Sequence, residues 1–198
     1  MSSFVGHSLA AFFISSFHRE RSGSTPYKVV WVGWLIALAS APDLDYIIPS
    51  LATPARGGLR ITHSVTFSLF LPLCTAAVLF LKSSRKRFKV LSIQAVLAGL
   101  SHLLLDLLVG VTPLPLFWPL SAAAFKLPFG VLPSAGRIDV SNYYFYRNLM
   151  IEVGILVPLF YSAYDLCGGQ TRVGNKLRAV VLLLISVCFI VWSLGLRR

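Results

Sequence analysis

The chain has 198 residues, of which 56% are hydrophobic and 13% charged, and its mean hydropathy is +0.76. A water-soluble domain of this size needs a more polar surface, so these values exclude one and make the bilayer the natural solvent. The formal net charge of +11 does not point to nucleic acid. The Lys and Arg residues sit between apolar runs, where they set topology and meet anionic head groups.

Six hydrophobic segments, roughly 4–17, 28–48, 64–81, 89–109, 148–166 and 177–196, predict an all-α fold. The expected architecture is a polytopic membrane helical bundle of about five to six helices. Segment 4–17 is short for a span of about 20 residues. No basic run precedes it, and Arg19 and Arg21 follow it, so it reads as a retained helix and not a cleavable signal. Segment 28–48 is interrupted by Pro42-Asp43-Leu44-Asp45. The stretch 111–147 is apolar, aromatic and rich in proline (Pro113, Pro115, Pro119, Pro128, Pro133). Proline removes a backbone donor and clashes within a helix, so a re-entrant or interfacial loop is expected there. Cys74, Cys167 and Cys188 lie too far apart for a zinc-spaced pair or a disulfide framework. With no internal repeat, the chain reads as a single membrane domain over 1–198. Its expected parts are metal-site helices in 1–110, the Pro-rich interfacial segment 111–147 and C-terminal helices in 148–198.

If every segment spans, eleven of the 18 Lys and Arg residues share one side. They include the dense group Lys82, Arg85, Lys86, Arg87 and Lys89, which predicts that this side is cytoplasmic and both termini lie outside.

The ionisable residues of the apolar segments then fall at one depth. Counting about 1.5 Å per residue from the basic end, His7, Asp43, His63, His102 and Asp106 lie roughly 15–27 Å up a hydrocarbon core about 30 Å thick. His102 and Asp106, at i and i+4, project from one helix face and can grip one ion. Asp43 and Asp45 would diverge on a regular helix, but Pro42 lets the chain leave that geometry and turn both toward one site. Thr62 is a candidate N-cap for the third segment, which would put His63 in the first helical turn. Intramembrane Asp and His are costly, and packing alone does not account for several at one depth. The predicted metal ligands are therefore His7, Asp43, His63, His102 and Asp106. A set of imidazoles and carboxylates without thiolate suits zinc first, with manganese or iron as alternatives. Arg56 and Arg60 are candidates to hold an anionic substrate group or to snorkel at the interface. Glu152, with Asn148 one turn before it, is a candidate ligand, a partner to one, or a packing residue. His18 reads as interfacial.

In order, Gly6-His7, Pro42-Asp43-Leu44-Asp45, Thr62-His63-Ser64, Ser101-His102-Leu103-Leu104-Leu105-Asp106 and the run Gly110 to Pro119 form a set. This set resembles the YdjM-type family of prokaryotic inner-membrane, metal-dependent hydrolases, some of them under LexA control. The resemblance covers roughly residues 1–135; beyond that the likeness is only of hydrophobic helices. Gly58-Leu59-Arg60-Ile61 stands where the family often shows His-Arg-Gly-aromatic, so the role of that upstream His does not carry over. A more distant likeness is to zinc-dependent phospholipase C and the P1-type nucleases. It implies one metal held by Asp43 or Asp45 with His63, His102 and Asp106, and a second using His7 with Asp106 bridging, hence one or two ions.

The resemblance implies a membrane-bound hydrolase in the prokaryotic inner membrane. Its substrate would be lipid-like, a phosphoester before other esters, cleaved at the extracytoplasmic interface. Asp45 is the expected general base, with Asp43 as ligand, although the two roles are interchangeable in the sequence. Arg60 is the expected clamp for substrate charge. A metal or proton transporter is the alternative, but transport sites use polar groups near the midplane. Beyond the terminal Lys89 and Arg178, the inner halves of the third, fourth and sixth segments have no Asp, Glu, His, Lys or Arg. A non-catalytic scaffold stapled by metal is the remaining reading. No feature specifies an oligomeric state.

Overall fold

Capping and proline chemistry set where each helix begins and ends. The computed structural model describes residues 2–17, 25–46, 48, 60–134, 141–167 and 173–196. Among these there are six α-helices and no β-strand. Helix α1 (Phe4–Ser16) starts at Ser3, whose hydroxyl accepts from the Gly6 amide at 3.0 Å. This is ordinary N-cap chemistry. Helix α2 (Thr25–Ser40) stops just before Pro42, and the chain tightens into a 3-10 turn over Ala41–Tyr46. The second segment is therefore not one helix to 48. A second 3-10 turn, Ile61–His63, leads into α3 (Val65–Lys82). The cap of α3 is Ser64, whose hydroxyl accepts from Phe67 at 3.2 Å. Thr62 is not the cap, and His63 lies before the helix and not in its first turn.

Helix α4 (Arg85–Val109) is the long central element, about 37 Å at 1.5 Å per residue. It ends at Gly110, which adopts φ +63°, and a Cβ there would meet the Phe129 carbonyl oxygen at 2.5 Å. Only glycine tolerates both conditions. Helices α5 (Tyr143–Cys167) and α6 (Val173–Leu194) complete the chain. Both α4 and α5 begin earlier than the apolar segments suggest. Their first turns are basic or aromatic, yet the backbone continues through them.

Four of the helices, α3 to α6, are long and apolar enough to cross a membrane. Half of the apolar window of α4 is buried inside the protein, against 11% for α3 and 17% for α6. The central helix is thus shielded by protein, while the flanking ones turn residues such as Phe70, Phe80, Leu81 and Leu184 outward. An apolar exterior of that extent is suited to lipid.

Small residues bring the helices close. Ala11, Ala39, Ala95 and Ala98 are buried where α1, α2 and α4 meet, packed with Ile14, Leu35 and Leu38. Hydrocarbon chains are as apolar as the helix surface, so association depends on such close packing. A Cβ on Gly99 of α4 would fall 2.4 Å from the Ser68 carbonyl oxygen and 2.8 Å from Pro72 Cγ of α3. Helix α1, at 13 residues about 20 Å long, ends within the bundle. Its carbonyls at Ile14, Ser15 and Phe17 are taken by the amide of Gln94 at 3.3, 3.4 and 2.7 Å. Trp31 holds Gln94 from the other side at 2.8 Å. One side-chain amide thus satisfies a helix end where water is scarce.

The stretch after Gly110 is irregular, as its prolines require. Over 111–134 it covers the ends of α3 and α4. Leu114 and Phe125 exchange backbone hydrogen bonds, the Val65 amide donates to Leu116, and the Val131 and Leu132 amides both donate to Leu108. Leu114 and Leu132 are buried beneath it. Replacing Gly99 by Val should destabilise the bundle by about 1–3 kcal/mol, since backbone faces the new methyls. Thermal unfolding in detergent followed by circular dichroism will measure this, and an unchanged midpoint would refute the close approach of α3 and α4.

Candidate metal centre

Four elements deliver one polar cluster to the same end of the bundle, opposite the Lys82–Lys89 turn. The first turns of α1 bring His7 and the last turns of α4 bring His102 and Asp106. The two 3-10 turns bring Asp43, Asp45, Thr62 and His63. The i, i+4 spacing places His102 Nε2 3.7 Å from Asp106 Oδ2, as same-face residues must lie. His63 Nε2 approaches Asp106 Oδ2 at 3.4 Å and Asp43 Oδ1 at 3.5 Å. His102 Nε2 is 3.9 Å from Asp43 Oδ1, and His7 Nε2 is 3.8 Å from Asp43 Oδ2 and 3.9 Å from Asp106 Oδ1. The His7 and His102 rings stack at 4.1 Å.

These side chains are removed from water. His7, His63 and His102 are completely buried, Asp106 nearly so, and only the Asp43 carboxylate is a quarter exposed. Among the described residues, His7 Nε2, His63 Nε2, His102 Nε2, Asp43 Oδ1 and Asp106 Oδ2 are buried atoms with no hydrogen-bond partner; His7 Nδ1 is another. Buried polar atoms without partners are rare, because each costs about 1–3 kcal/mol. Here five of them converge on one another. A divalent ion with bonds of about 2.0–2.2 Å in tetrahedral geometry would separate its ligands by about 3.3–3.6 Å. The shorter separations match that range and the longer ones need a few tenths of an ångström of closure.

Hydrogen bonds on the far side of the rings set which nitrogen faces inward. His102 Nδ1 lies 2.8 Å from the Ala39 carbonyl oxygen, a pure acceptor, so Nδ1 carries the proton and Nε2 presents its lone pair. For His63 the relay is longer. Arg60 Nε donates to Asp45 Oδ2 at 2.7 Å, Thr62 Oγ1 donates to the same oxygen at 3.0 Å, and His63 Nδ1 donates to Thr62 Oγ1 at 2.9 Å. That direction follows because the hydroxyl has one proton and gives it to the carboxylate. Ligating imidazoles are commonly oriented by such outer hydrogen bonds.

Two overlapping triads could hold an ion: His7, Asp43 and His102, and His63, His102 and Asp106. Both use His102. A single Nε2 lone pair serves one ion, and Nδ1 is committed to Ala39, so the two triads are parts of one centre.

The other expected residues fall around this centre. Asp45 is buried and its two oxygens accept from Arg60, with Thr62 as a further donor. Arg60 also lies 3.7 Å from Asp43 and stacks its guanidinium over the Tyr46 ring at 4.4 Å. Neither side chain of the Asp45–Arg60 pair projects freely into the cluster. Glu152 does not join the cluster either. It is fully buried and accepts from the Ser2 hydroxyl and from the Ser3 amide at 3.0 Å. Asn148 turns away and donates to the Ser134 carbonyl at 2.7 Å. The Ser2 amide donates to Asp106 Oδ1 at 2.8 Å. The N-terminal strand of chain is thereby pinned between a ligand candidate and α5, a contact across 104 residues that no local pattern in the sequence signals. Arg56 and His18 lie outside the described residues.

Fold and site together define a class: an all-helical membrane protein with a buried His/Asp centre at one end. The family then follows from comparison. The model of the YdjM inner membrane protein family matches residues 1–197, and the chain belongs to that family. The match runs well past residue 135, so α5 and α6 are family elements and not merely hydrophobic helices. No curated protein and no solved structure matches the chain.

Burial alone would push the His63 imidazole down, but the carboxylates of Asp106 and Asp43 outweigh it and hold it above its ordinary value. Burial would likewise push Asp43 up, yet His63 and then His102 and His7 hold its carboxyl below the usual range. A metal would have to displace the His63 proton, so metal affinity should rise with pH and fall as the medium is acidified. Metal titrations of detergent-solubilised protein at a series of pH values test the direction. In the same preparation Asp106→Asn should lower metal content by at least about tenfold; full content in that variant would dissolve the centre as described.

Proposed function

We propose that the chain is a metal-dependent hydrolase of the inner membrane. Its substrate is a lipid-like ester, a phosphoester before others, met at the extracytoplasmic interface. The observation that carries this reading is the convergence of five partnerless buried ligand atoms from His7, Asp43, His63, His102 and Asp106. A single divalent cation, zinc before manganese or iron, fits a set of three imidazoles and two carboxylates. Such a cation supplies Lewis acidity, polarising an ester or phosphoryl oxygen and activating water for attack.

The partial exposure of Asp43 supports catalysis over a purely structural staple. A closed structural site hides all its ligands, whereas a catalytic one keeps an approach for water and substrate. Here one carboxylate faces the opening while the other four candidate ligands are sealed. The depth of the cluster in the bundle, and the exposed Phe117, Leu120, Phe125 and Phe129 of the neighbouring loop, support a substrate that arrives from the bilayer. The dense basic turn 82–89 at the other end supports an extracytoplasmic site.

In this reading Asp45 is a positioning residue and not the base. It holds Arg60 and, through Thr62, keeps the His63 proton on Nδ1. Arg60 lies between Asp45 and Asp43 at the rim, and its charge would favour a phosphoester that approaches there. Asp43, the one partly exposed carboxylate, would hold the ion through Oδ1 and could take a proton from the attacking water at its other oxygen.

Purified protein, stripped with chelator and reloaded with zinc or manganese, should cleave one class in a panel of phospholipid, lipid phosphate and carboxylester substrates. His102→Ala should abolish that activity. Asp45→Asn should keep metal within a few-fold yet lower kcat/KM by about 10–100-fold, as expected for a residue that orients a ligand. Metal-loaded wild type that cleaves no member of the panel would reject the hydrolase reading and favour a metal staple.

A further inference from the structure

Near the metal centre, Leu105 and Val109 of α4, Ile151 and Ile155 of α5 and Ala10 of α1 share one buried apolar cluster. Toward the basic end, residues of α1, α2, α4 and α5 line a half-open cavity of about 390 Å³. Its floor is α1, which stops short and is closed off by Gln94, and α2 forms part of the wall on the α4 side. The volume lies in the range of about 300–1,000 Å³ occupied by small amphiphilic ligands.

The chemistry of the cavity changes along its length. The deep part is apolar and aromatic, with Phe13 and Phe160 lining it and their rings stacked at 4.6 Å. The outer part carries Lys28 and Arg87, both half-buried, with the Arg87 guanidinium 4.3 Å from the Tyr27 ring. Among the described residues that line it there is no Asp or Glu. Water has few partners in the deep part and no reason to fill it. A cavity of this kind, apolar within and cationic at the rim, matches one occupant from a bilayer: a lipid whose acyl chain enters and whose phosphate stays between the two basic groups.

We propose that the cavity framed by α1, α2, α4 and α5 binds one anionic phospholipid of the surrounding leaflet, chain inward and phosphate between Lys28 and Arg87. This site is separate from the His/Asp centre and does not depend on what that centre does. Bound lipid would fill the gap left by the short α1 and tie α5 to the α2–α4 wall.

The test uses the full chain in detergent with added phosphatidylglycerol or phosphatidylcholine, read by native mass spectrometry. Wild type should retain one phosphatidylglycerol in preference to phosphatidylcholine by on the order of tenfold, as two basic groups near a head group predict. Lys28→Gln with Arg87→Gln should erase the preference, whereas Lys86→Gln with Lys89→Gln, which alters the same basic turn outside the cavity, should leave it. Val157→Trp, which fills the cavity without touching its charges, should reduce retention of both lipids. Equal retention of the two lipids by wild type would overturn the proposal. So would equal losses in the two double variants, which would assign the preference to general surface charge, or undiminished retention in Val157→Trp.

Discussion

An apolar bundle tolerates a polar cluster only if something answers its lone pairs. Each buried atom without a partner costs about 1–3 kcal/mol, and five together rival the ~5–15 kcal/mol that holds a typical domain folded. The convergence of His7, His63, His102, Asp43 and Asp106 is therefore the constraint that the rest of the architecture serves. A divalent cation held there would answer several of these lone pairs together, which neither packing nor a single proton can do. Metal and proton would then compete for the same set.

Much of the local irregularity in the chain can be read as the geometry this cluster demands. Pro42 ends α2 one turn early, and the 3-10 turn that follows separates Asp43, which faces the histidines, from Asp45, which faces Arg60 and Thr62. Ser64 caps α3, leaving Thr62 free to relay between Asp45 and His63. Gly110 turns the chain sharply enough for the Pro-rich loop to cover the ends of α3 and α4. Each device sits within a few residues of a ligand candidate. Helix α4, half of whose apolar window is buried, carries the pair His102 and Asp106.

The two ends of the bundle solve opposite problems. At one end polar groups are concentrated, sealed by a loop and pinned by the Ser2 and Ser3 contacts to Asp106 and Glu152. At the other, a helix too short to cross the core leaves a gap, and Gln94 absorbs the carbonyls exposed by its early end. Membership in the YdjM inner membrane protein family covers both ends, α5 and α6 included. Helix α5 reaches both: Glu152 near its start holds the N-terminal residues, and Phe160 further along lines the gap.

The sequence by itself determined the all-helical membrane class and the five residues that share a depth. Both follow from one-dimensional quantities: the length of apolar runs, and the rise per residue along a helix. The i, i+4 pair His102 and Asp106 was legible for the same reason. What only the tertiary structure decided were the relations between elements. The pairing of Asp45 with Arg60, the relay through Thr62, the choice of Ser64 as cap and the anchoring of Ser2 and Ser3 on Asp106 and Glu152 all depend on how helices distant in sequence are packed. A side chain's partner is set by orientation across a helix interface, and hydrophobic periodicity carries depth but not that rotation.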